Sequence, residues 1–263
     1  MSVFRTVRVS DPRFEHDGLR IATVKSPALK GRGDISLFVP PSCPENIPIV
    51  LLLHGVYGSH WSWALGGGAH QTAARLIEYG EIQPIVLAMP SDGLWGDGSG
   101  YLPHTSKDYE RWIIEEAPAA VQEIVPAANN ASPLFIAGLS MGGFGALRLG
   151  GKYAAKFAGI AAHSAITHFE QLAQFVEEPL AAYQSHTANH STLDALTSQP
   201  LPPLRFDCGT EDPLLEPNRV LHMALEEAGV THIYEEFAGG HEWPYWEKHI
   251  EDTLRFFNRC LTS

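Results

Sequence analysis

The chain has 263 residues, of which 44% are hydrophobic and 18% are charged, so it suits one large domain with a substantial core and is not compositionally disordered. Carboxylates outnumber lysine and arginine by 30 to 18. The net charge of −12, with no cluster of Lys or Arg along the sequence, argues against nucleic acids and anionic membrane surfaces as partners. The three cysteines are too few and too scattered for a disulfide framework or a zinc site.

The sequence contains no pattern typical of targeting or of a membrane span. The longest apolar run, residues 49–53, is far too short to cross a bilayer. Residues 1–10 lack the continuous apolar stretch of a signal peptide. We therefore expect a cytoplasmic protein with no membrane partner, and the sequence allows a homo-oligomer.

The first half of the chain begins with strands and then alternates between strands and helices. Residues 3–9, 19–25 and 34–39 alternate as half-buried strands do, and with no helical pattern between them they are predicted to pair antiparallel. The continuous apolar run at 49–53 predicts a strand that is buried on both faces. The elements predicted after it are a helix at 69–79, a strand at 85–89, a helix at 109–124 with a kink at Pro118, a strand at 134–137 and a helix at 141–149.

The second half continues the alternation. Its predicted elements are a strand at 157–162, an irregular segment at 164–203 with two short helices, a strand at 204–208, a helix at 214–228 ended by Gly229, a strand at 232–237 and a final helix with Trp246, Ile250, Leu254 and Phe257 on one face. This order predicts a single α/β domain over residues 1–263. Its mostly parallel sheet is covered by helices on both faces and carries at most a small cap. In such sheets the chemistry lies in loops at the carboxyl ends of the strands.

A serine lies just after the predicted strand at 134–137. Gly138-Leu139-Ser140-Met141-Gly142 follows the strand at 134–137 and precedes a helix, which is G-x-S-x-G in strand-turn-helix context. The glycines allow the close backbone approach of a sharp turn, and the helix start adds free N–H groups for a developing oxyanion. We therefore predict that Ser140 is a nucleophile.

A second glycine-rich loop, His54-Gly55-Val56-Tyr57-Gly58, follows the buried strand at 49–53. A loop of this kind can aim a backbone N–H at a substrate carbonyl oxygen. We assign that role to the amide of Val56, paired with the amide of Met141. His54 is not expected to be the base, because it precedes the serine and lies in the loop that holds the donors.

Three carboxylates compete for the role of the triad acid. Asp207 lies inside the predicted strand at 204–208, whereas Glu211 and Asp212 lie in the loop beyond it. We favour Asp212 and keep the other two as alternatives. An N-cap role for Asp212 is equally compatible with its position, because Pro213 suits the first turn of a helix.

The base is predicted from its place after the last strand. Gly239-Gly240 lets the chain turn sharply and carry His241 back over the edge of the sheet. The resulting chain order, Ser140, Asp212 and His241, is that of α/β-hydrolases rather than of chymotrypsin or subtilisin.

These segments resemble one known family. LLLHGVYGSHWSW (residues 51–63), GLSMGGFGAL (138–147), DCGTEDPLL (207–215) and GGHEWPYW (239–246) look like the esterase D-type branch of the α/β-hydrolases. That branch includes small carboxylesterases, feruloyl esterases, S-formylglutathione hydrolases and mycolyltransferases. The resemblance implies the α/β-hydrolase fold, the roles given above to the catalytic and oxyanion residues, and acyl hydrolysis without a cofactor. Tyr57-Gly58-Ser59 stands where S-formylglutathione hydrolases carry a cysteine-bearing segment, which argues against that substrate.

Aromatic residues of the predicted loops suggest the substrate pocket. We expect it to be lined by Tyr57, Trp61, Trp95, Tyr101 and Trp243. The segment at 164–203 is too short for a large lipase lid. The loop at 92–100 lacks the ligand spacing of a calcium site, so neither a metal nor another cofactor is expected.

The sequence thus predicts a serine carboxylesterase that hydrolyses short-chain esters, acetyl to butyryl, or aryl esters through an acyl-enzyme. An acyltransferase and an S-formylglutathione hydrolase-like thioesterase with the same triad are alternatives. A non-catalytic hydrolase-like binding protein is the third.

Overall fold

A sheet runs through the centre of the molecule in the computed structural model, which describes residues 2–183 and 191–262. Within that part of the chain its strands are β1 (Val7–Val9), β2 (Leu19–Ser26), β3 (Gly31–Phe38), β4 (Ile49–Leu53), β5 (Val86–Pro90), β6 (Leu134–Leu139), β7 (Gly159–His163), β8 (Leu204–Gly209) and β9 (Ile233–Phe237). They lie side by side in the order β1-β2-β3-β5-β4-β6-β7-β8-β9. Most boundaries lie within a few residues of the prediction, but the first strand is shorter than the predicted 3–9.

The sheet is antiparallel at one end and parallel through the rest. β1 pairs with β2, β2 with β3 and β3 with β5 in antiparallel register, whereas all pairs from β5 to β9 are parallel. The central strand β4 is buried along its whole length, as its continuous apolar sequence predicts. The predicted mostly parallel sheet with an antiparallel extension is confirmed.

Helices cover both faces of the sheet, which confirms the predicted α/β-hydrolase architecture. They are α1 (Ala69–Glu78), α2 (Tyr109–Arg111), α3 (Ala117–Ile124), α4 (Met141–Lys152), α5 (Thr192–Thr197), α6 (Leu215–Glu227) and α7 (Trp243–Cys260). α1 and α7 pack their apolar residues on one face, and the remaining helices pack on the other. The predicted apolar stripe of α7 is buried against the sheet.

The predicted helix at 109–124 is interrupted rather than simply kinked. α2 and α3 are joined by a π-helical turn at Trp112–Glu116, and Pro118 lies in the first turn of α3. Proline has no N–H and its ring crowds the preceding turn, so a wider turn before it removes the conflict.

The segment after β7 forms a small cap. It contains 3-10 helices at Phe169–Gln174 and Leu180–Tyr183, and then α5. The sequence predicted an irregular segment with two short helices, and the described residues contain three short helical elements. Residues 184–190 of the predicted segment lie outside the described part of the chain. No helix of the described chain is long and apolar enough to cross a membrane.

The antiparallel extension gathers basic residues that are scattered along the sequence. A groove is lined by Arg5, Arg8, Lys25 and Arg32, and Lys25 is the direct cross-strand partner of Arg32. A cluster of cations therefore exists in the fold, contrary to what the sequence suggested, because strand pairing sets residues from three strands side by side.

Candidate active site

Ser140 lies in the sharp turn between β6 and α4. Its φ of +53° and ψ of −118° are unusual for a residue with a side chain. The turn is possible because its two flanking glycines leave room: a Cβ on Gly138 would overlap the backbone of Gly142, and one on Gly142 would overlap the carbonyl of Leu53. The G-x-S-x-G spacing thus follows from the approach of backbone to backbone on both sides of the serine.

The predicted nucleophile, base and acid are joined by hydrogen bonds. The Nε2 atom of His241 is 3.0 Å from the Oγ atom of Ser140, and its Nδ1 atom is 2.9 Å from an Oδ atom of Asp212. With Nδ1 protonated toward the carboxylate, Nε2 is left as an acceptor for the serine hydroxyl. Three residues from three different loops therefore converge at the carboxyl edge of the sheet.

The surroundings of Asp212 favour its ionised form. Burial alone would raise the pKa of this carboxyl, but the hydrogen bond and charge of His241, the N–H of Leu214 and the hydroxyl of Ser164 together lower it. The N–H of Leu214 donates to Oδ1 over 2.8 Å. Asp212 therefore makes the local cap-like hydrogen bond suggested by its position as well as the contact with His241.

The two alternative carboxylates are placed elsewhere. Asp207 is fully buried and binds the Nδ1 atom of His163 at 3.0 Å, the guanidinium of Arg205 at 2.5 Å and the hydroxyl of Tyr245 at 2.9 Å. Although burial opposes ionisation, these partners lower the pKa of Asp207 to about 2. The side chain of Glu211 is exposed to solvent.

His54 organises the glycine-rich loop that follows β4. Its Nε2 atom accepts the N–H of Asp92 over 3.0 Å, so its Nδ1–H is left to donate to the carbonyl of Gly55 over 2.7 Å. Burial lowers the pKa of His54, although the charge of Asp92 acts against that effect. The neutral imidazole of His54 makes a hydrogen bond through each of its nitrogens and so holds the loop in place. This agrees with the expectation that His54 is not the base.

The amides of Val56 and Met141 lie in the loop after β4 and at the first residue of α4. Val56 borders the same cavity as Ser140, and Tyr57 beside it is held by an N–H bond to the carbonyl of Asp97 over 2.8 Å. Neither amide has a backbone partner in the described chain. A backbone N–H without a protein partner is what the predicted oxyanion role requires of each residue.

A cavity of about 260 Å³ opens beside Ser140 and His241. Of the five aromatic residues predicted to line it, Tyr57, Trp61 and Trp243 do so. The prediction is wrong for Trp95 and Tyr101. Trp95 packs against Tyr183 and His104. Tyr101 is fully buried and donates its hydroxyl to the carbonyl of His54, so both rings support the loops instead of facing the cavity.

Two aromatic residues on the wall of the cavity contact the base directly. Phe175 from the cap stacks on the ring of His241 with centroids 5.5 Å apart, and Trp246 meets the same ring edge-on at 5.0 Å. Sequence analysis missed Phe175, because it lies in the irregular segment where no periodicity assigns a direction to a side chain. Trp246 was predicted as part of the apolar face of α7, and it also borders the cavity.

The loop at 92–100 is organised by its own hydrogen bonds. The carboxylate of Asp92 accepts the N–H groups of Leu94 and Ser99, at 2.8 and 2.6 Å. Among the residues that the structure describes, no group of three or more His, Cys, Asp or Glu could hold a metal ion.

Known esterases resemble this chain in sequence and in fold. The model of the Esterase family, described as "Putative esterase", matches residues 26–257. An acetyl esterase of Caldicellulosiruptor saccharolyticus is 28% identical over 262 residues, and the match covers 92% of each chain. The structure of a ferulic acid esterase superimposes with a TM-score of 0.78 at 23% identity, over 98% of this chain and 99% of that one. An S-formylglutathione hydrolase from Staphylococcus aureus superimposes with a TM-score of 0.77 at 19% identity, over 95% and 99% of the two chains.

Proposed function

The chain belongs to the Esterase family of α/β-hydrolases, and from that premise we propose that it is a serine carboxylesterase for short-chain esters that works through an acyl-enzyme. The observation that carries the proposal is the hydrogen-bonded series from Ser140 through His241 to Asp212 beside an apolar cavity. The similarity to an acetyl esterase over most of both chains supports the same substrate class.

In the first half of the reaction, the Oγ atom of Ser140 attacks the ester carbonyl while the Nε2 atom of His241 takes the hydroxyl proton. The carboxylate of Asp212 holds the imidazole in the required tautomer and stabilises the imidazolium. The N–H groups of Val56 and Met141 bind the oxyanion of the tetrahedral intermediate. His241 then returns the proton to the leaving alcohol, and the acyl group stays on Ser140.

In the second half, a water molecule takes the place of the alcohol. His241 removes a proton from that water as it attacks the acyl-enzyme, and the same two amides bind the second oxyanion. Collapse of this intermediate releases the carboxylic acid and returns the proton to Ser140. An acyltransferase would differ only in the acceptor, so an added alcohol distinguishes the two.

The size of the cavity supports a short acyl group. Its volume of about 260 Å³ has room for a short acyl group, and the ring of Phe175 narrows it on the cap side. Each methylene that leaves water adds about 0.8 kcal/mol of binding, but only while the pocket has room for it. The value of kcat/KM should therefore peak at roughly two to four acyl carbons and fall beyond.

Aryl esters are a second candidate, supported by the aromatic wall formed by Tyr57, Trp61 and Trp243. Flat rings pack well against such side chains. A ferulic acid esterase is among the proteins of the same fold, although at 23% identity this likeness concerns the fold alone.

The test is a chain-length profile of kcat/KM with p-nitrophenyl esters from acetate to palmitate, together with methyl ferulate. Ser140→Ala serves as the control and should lose activity by about 10⁴-fold or more while it keeps the fold. A fluorophosphonate probe should label the wild type at Ser140 and leave the variant unlabelled. A maximum at eight carbons or beyond would contradict the short-chain proposal, and a variant with a tenth of the wild-type kcat would contradict the nucleophile.

A further inference from the structure

Among the residues that the structure describes, the loops around the candidate site contain a single lysine or arginine side chain, Lys107. They follow β4, β5, β7, β8 and β9 and comprise residues 54–68, 91–108, 164–183, 191–203, 210–214 and 238–242. The same loops carry ten carboxylates, Asp92, Asp97, Asp108, Glu170, Glu177, Glu178, Asp194, Glu211, Asp212 and Glu242. Of the 18 lysine and arginine residues of the chain, 17 therefore lie outside these loops, and Lys107 lies at the end of its loop, two residues before α2.

Three of these carboxylates are linked to the wall of the cavity. The backbone of Asp97 accepts the N–H of Tyr57, a cavity residue with 66% of its surface exposed. The carboxylate of Asp97 accepts the N–H of Glu177 over 2.7 Å. The backbone N–H of Asp97 donates to the carboxylate of Glu178 over 3.1 Å. Glu177 and Glu178 follow Phe175, which lines the cavity from the cap.

This arrangement gives the rim a negative field. The pKa of Tyr57 is raised, first by desolvation and then by the charges of the three carboxylates. Of the cations near this edge of the sheet, Lys30 lies in the turn between β2 and β3, Lys107 lies just before α2, and Lys25 and Arg32 belong to β2 and β3. Those strands are at least three strand positions from β6, which is roughly 14 Å at the usual spacing. Arg32 is also paired with Asp34 at 2.7 Å.

We infer that the site selects esters by charge, and that it prefers a cationic alcohol group to a neutral one and a neutral one to an anionic one. The inference rests on the proposed esterase function. With the acyl group in the narrow cavity, the alcohol group faces the rim, where Tyr57 and its carboxylates meet it. A glutathione thioester, whose two carboxylates and one ammonium group give it a net negative charge, is the kind of substrate that this rim disfavours.

The expected size of the effect follows from Coulomb's law. In water, a single charge about 10 Å from another changes their association by a factor of about two at low salt. Three carboxylates therefore predict a preference of about three- to tenfold. The Debye length shrinks from about 30 Å at 0.01 M salt to about 3 Å at 1 M, so the preference should disappear as salt is added.

The experiment compares three acetate esters of similar size. Acetylcholine carries a trimethylammonium group, 3,3-dimethylbutyl acetate replaces it with a neutral tert-butyl group, and 3-acetoxypropane-1-sulfonate carries a negative charge. Each kcat/KM is divided by the rate constant of hydroxide-catalysed hydrolysis of the same ester, which removes differences in intrinsic reactivity. In 0.01 M salt the normalised values should fall in the order cation, neutral, anion by about three- to tenfold per step, and should converge at high salt.

Two variants test the source of the preference. Glu177→Gln combined with Glu178→Gln removes two charges from the rim and should lower the ratio of cationic to neutral ester by about twofold or more. Glu123→Gln is the matched control, because this exposed carboxylate lies in α3, which ends on the side of the sheet where β6 begins; it should leave the ratio unchanged. A ratio of one in the wild type, or one that neither salt nor the double variant alters, overturns the charge preference and leaves the esterase intact. If neither these esters nor p-nitrophenyl acetate is hydrolysed, the proposed function fails, and the charge preference with it.

Discussion

At Ser140 the backbone holds a conformation that costs free energy. A φ of +53° in a residue with a Cβ persists only where the surroundings over-determine it. Here β6, α4 and the carbonyl of His163, which accepts the N–H of Ser140 over 3.0 Å, fix the turn. The strain is therefore supported by the fold, and the hydroxyl is kept within hydrogen-bond distance of His241.

The roles of the three neighbouring carboxylates can be separated by substitution. We expect Asp212→Asn to lower kcat by up to about 10⁴-fold with little loss of stability, because the amide no longer fixes the tautomer of His241. Asp207→Asn should cost about 3 kcal/mol in the free energy of unfolding, because it breaks a buried network around Arg205 and His163. Glu211→Gln should change both quantities little, since its side chain is exposed. Kinetics and urea denaturation of all three variants give the comparison, and a largest loss of kcat at Asp207 or Glu211 would refute the assignment.

At the scale of single elements, the loop after β4 depends on His54. His54→Ala removes the acceptor for the N–H of Asp92 and the donor to Gly55, so the loop with Val56 should loosen. We expect kcat to fall by about 10- to 100-fold, less than for the complete loss of an oxyanion donor, because the amide of Val56 is loosened and not removed. The acidic side of the pH profile of kcat/KM should stay unchanged. A shift of that side of the profile, or a loss as large as that of Ser140→Ala, would indicate that His54 takes part in proton transfer.

Among the described residues of the cap, Phe175 borders the cavity. Phe175→Ala removes the side chain that stacks on His241 and narrows the cavity, so longer acyl chains should fit. We expect the maximum of kcat/KM to move by roughly two carbons toward longer esters, since each accommodated methylene adds about 0.8 kcal/mol of binding. Phe169→Ala, which alters a buried cap residue that does not line the cavity, is the matched control. An unchanged profile in Phe175→Ala would show that another part of the wall limits the acyl group.

Site residues that follow a regular strand could be predicted from the sequence, whereas those in irregular segments could not. Ser140, Asp212 and His241 were predictable, because each follows a strand whose pattern is plain and the order of the strands brings their ends to one edge. Phe175 was not, because it follows the 3-10 helix Phe169–Gln174 in an irregular segment, where no apolar period assigns its ring a direction. Trp95 and Tyr101 were assigned to the pocket because they lie in loops near the site. In the structure they pack inside these loops, Trp95 against Tyr183 and Tyr101 with its hydroxyl on the carbonyl of His54.

At the scale of the whole molecule, stability in acid should depend on the buried network around Asp207. Its pKa is lowered from 3.8 to about 2 in the folded chain, because His163, Arg205 and Tyr245 together outweigh the effect of burial. A carboxyl whose pKa is lowered on folding stabilises the fold above its unfolded pKa, and that stabilisation is lost as the pH falls through the folded value. The stabilisation by the ionised carboxyl of Asp207 is therefore lost between about pH 4 and pH 2.

We expect the difference in unfolding free energy between the wild type and Asp207→Asn to narrow by about 2 kcal/mol between pH 5 and pH 2.5. Other carboxyls with lowered pKa values, such as Asp212 and Glu110, are present in both proteins, so their contributions cancel in the difference. Denaturation in urea at a series of pH values measures it. A difference that stays constant across this range would mean that Asp207 contributes through packing and neutral hydrogen bonds instead of through its charge.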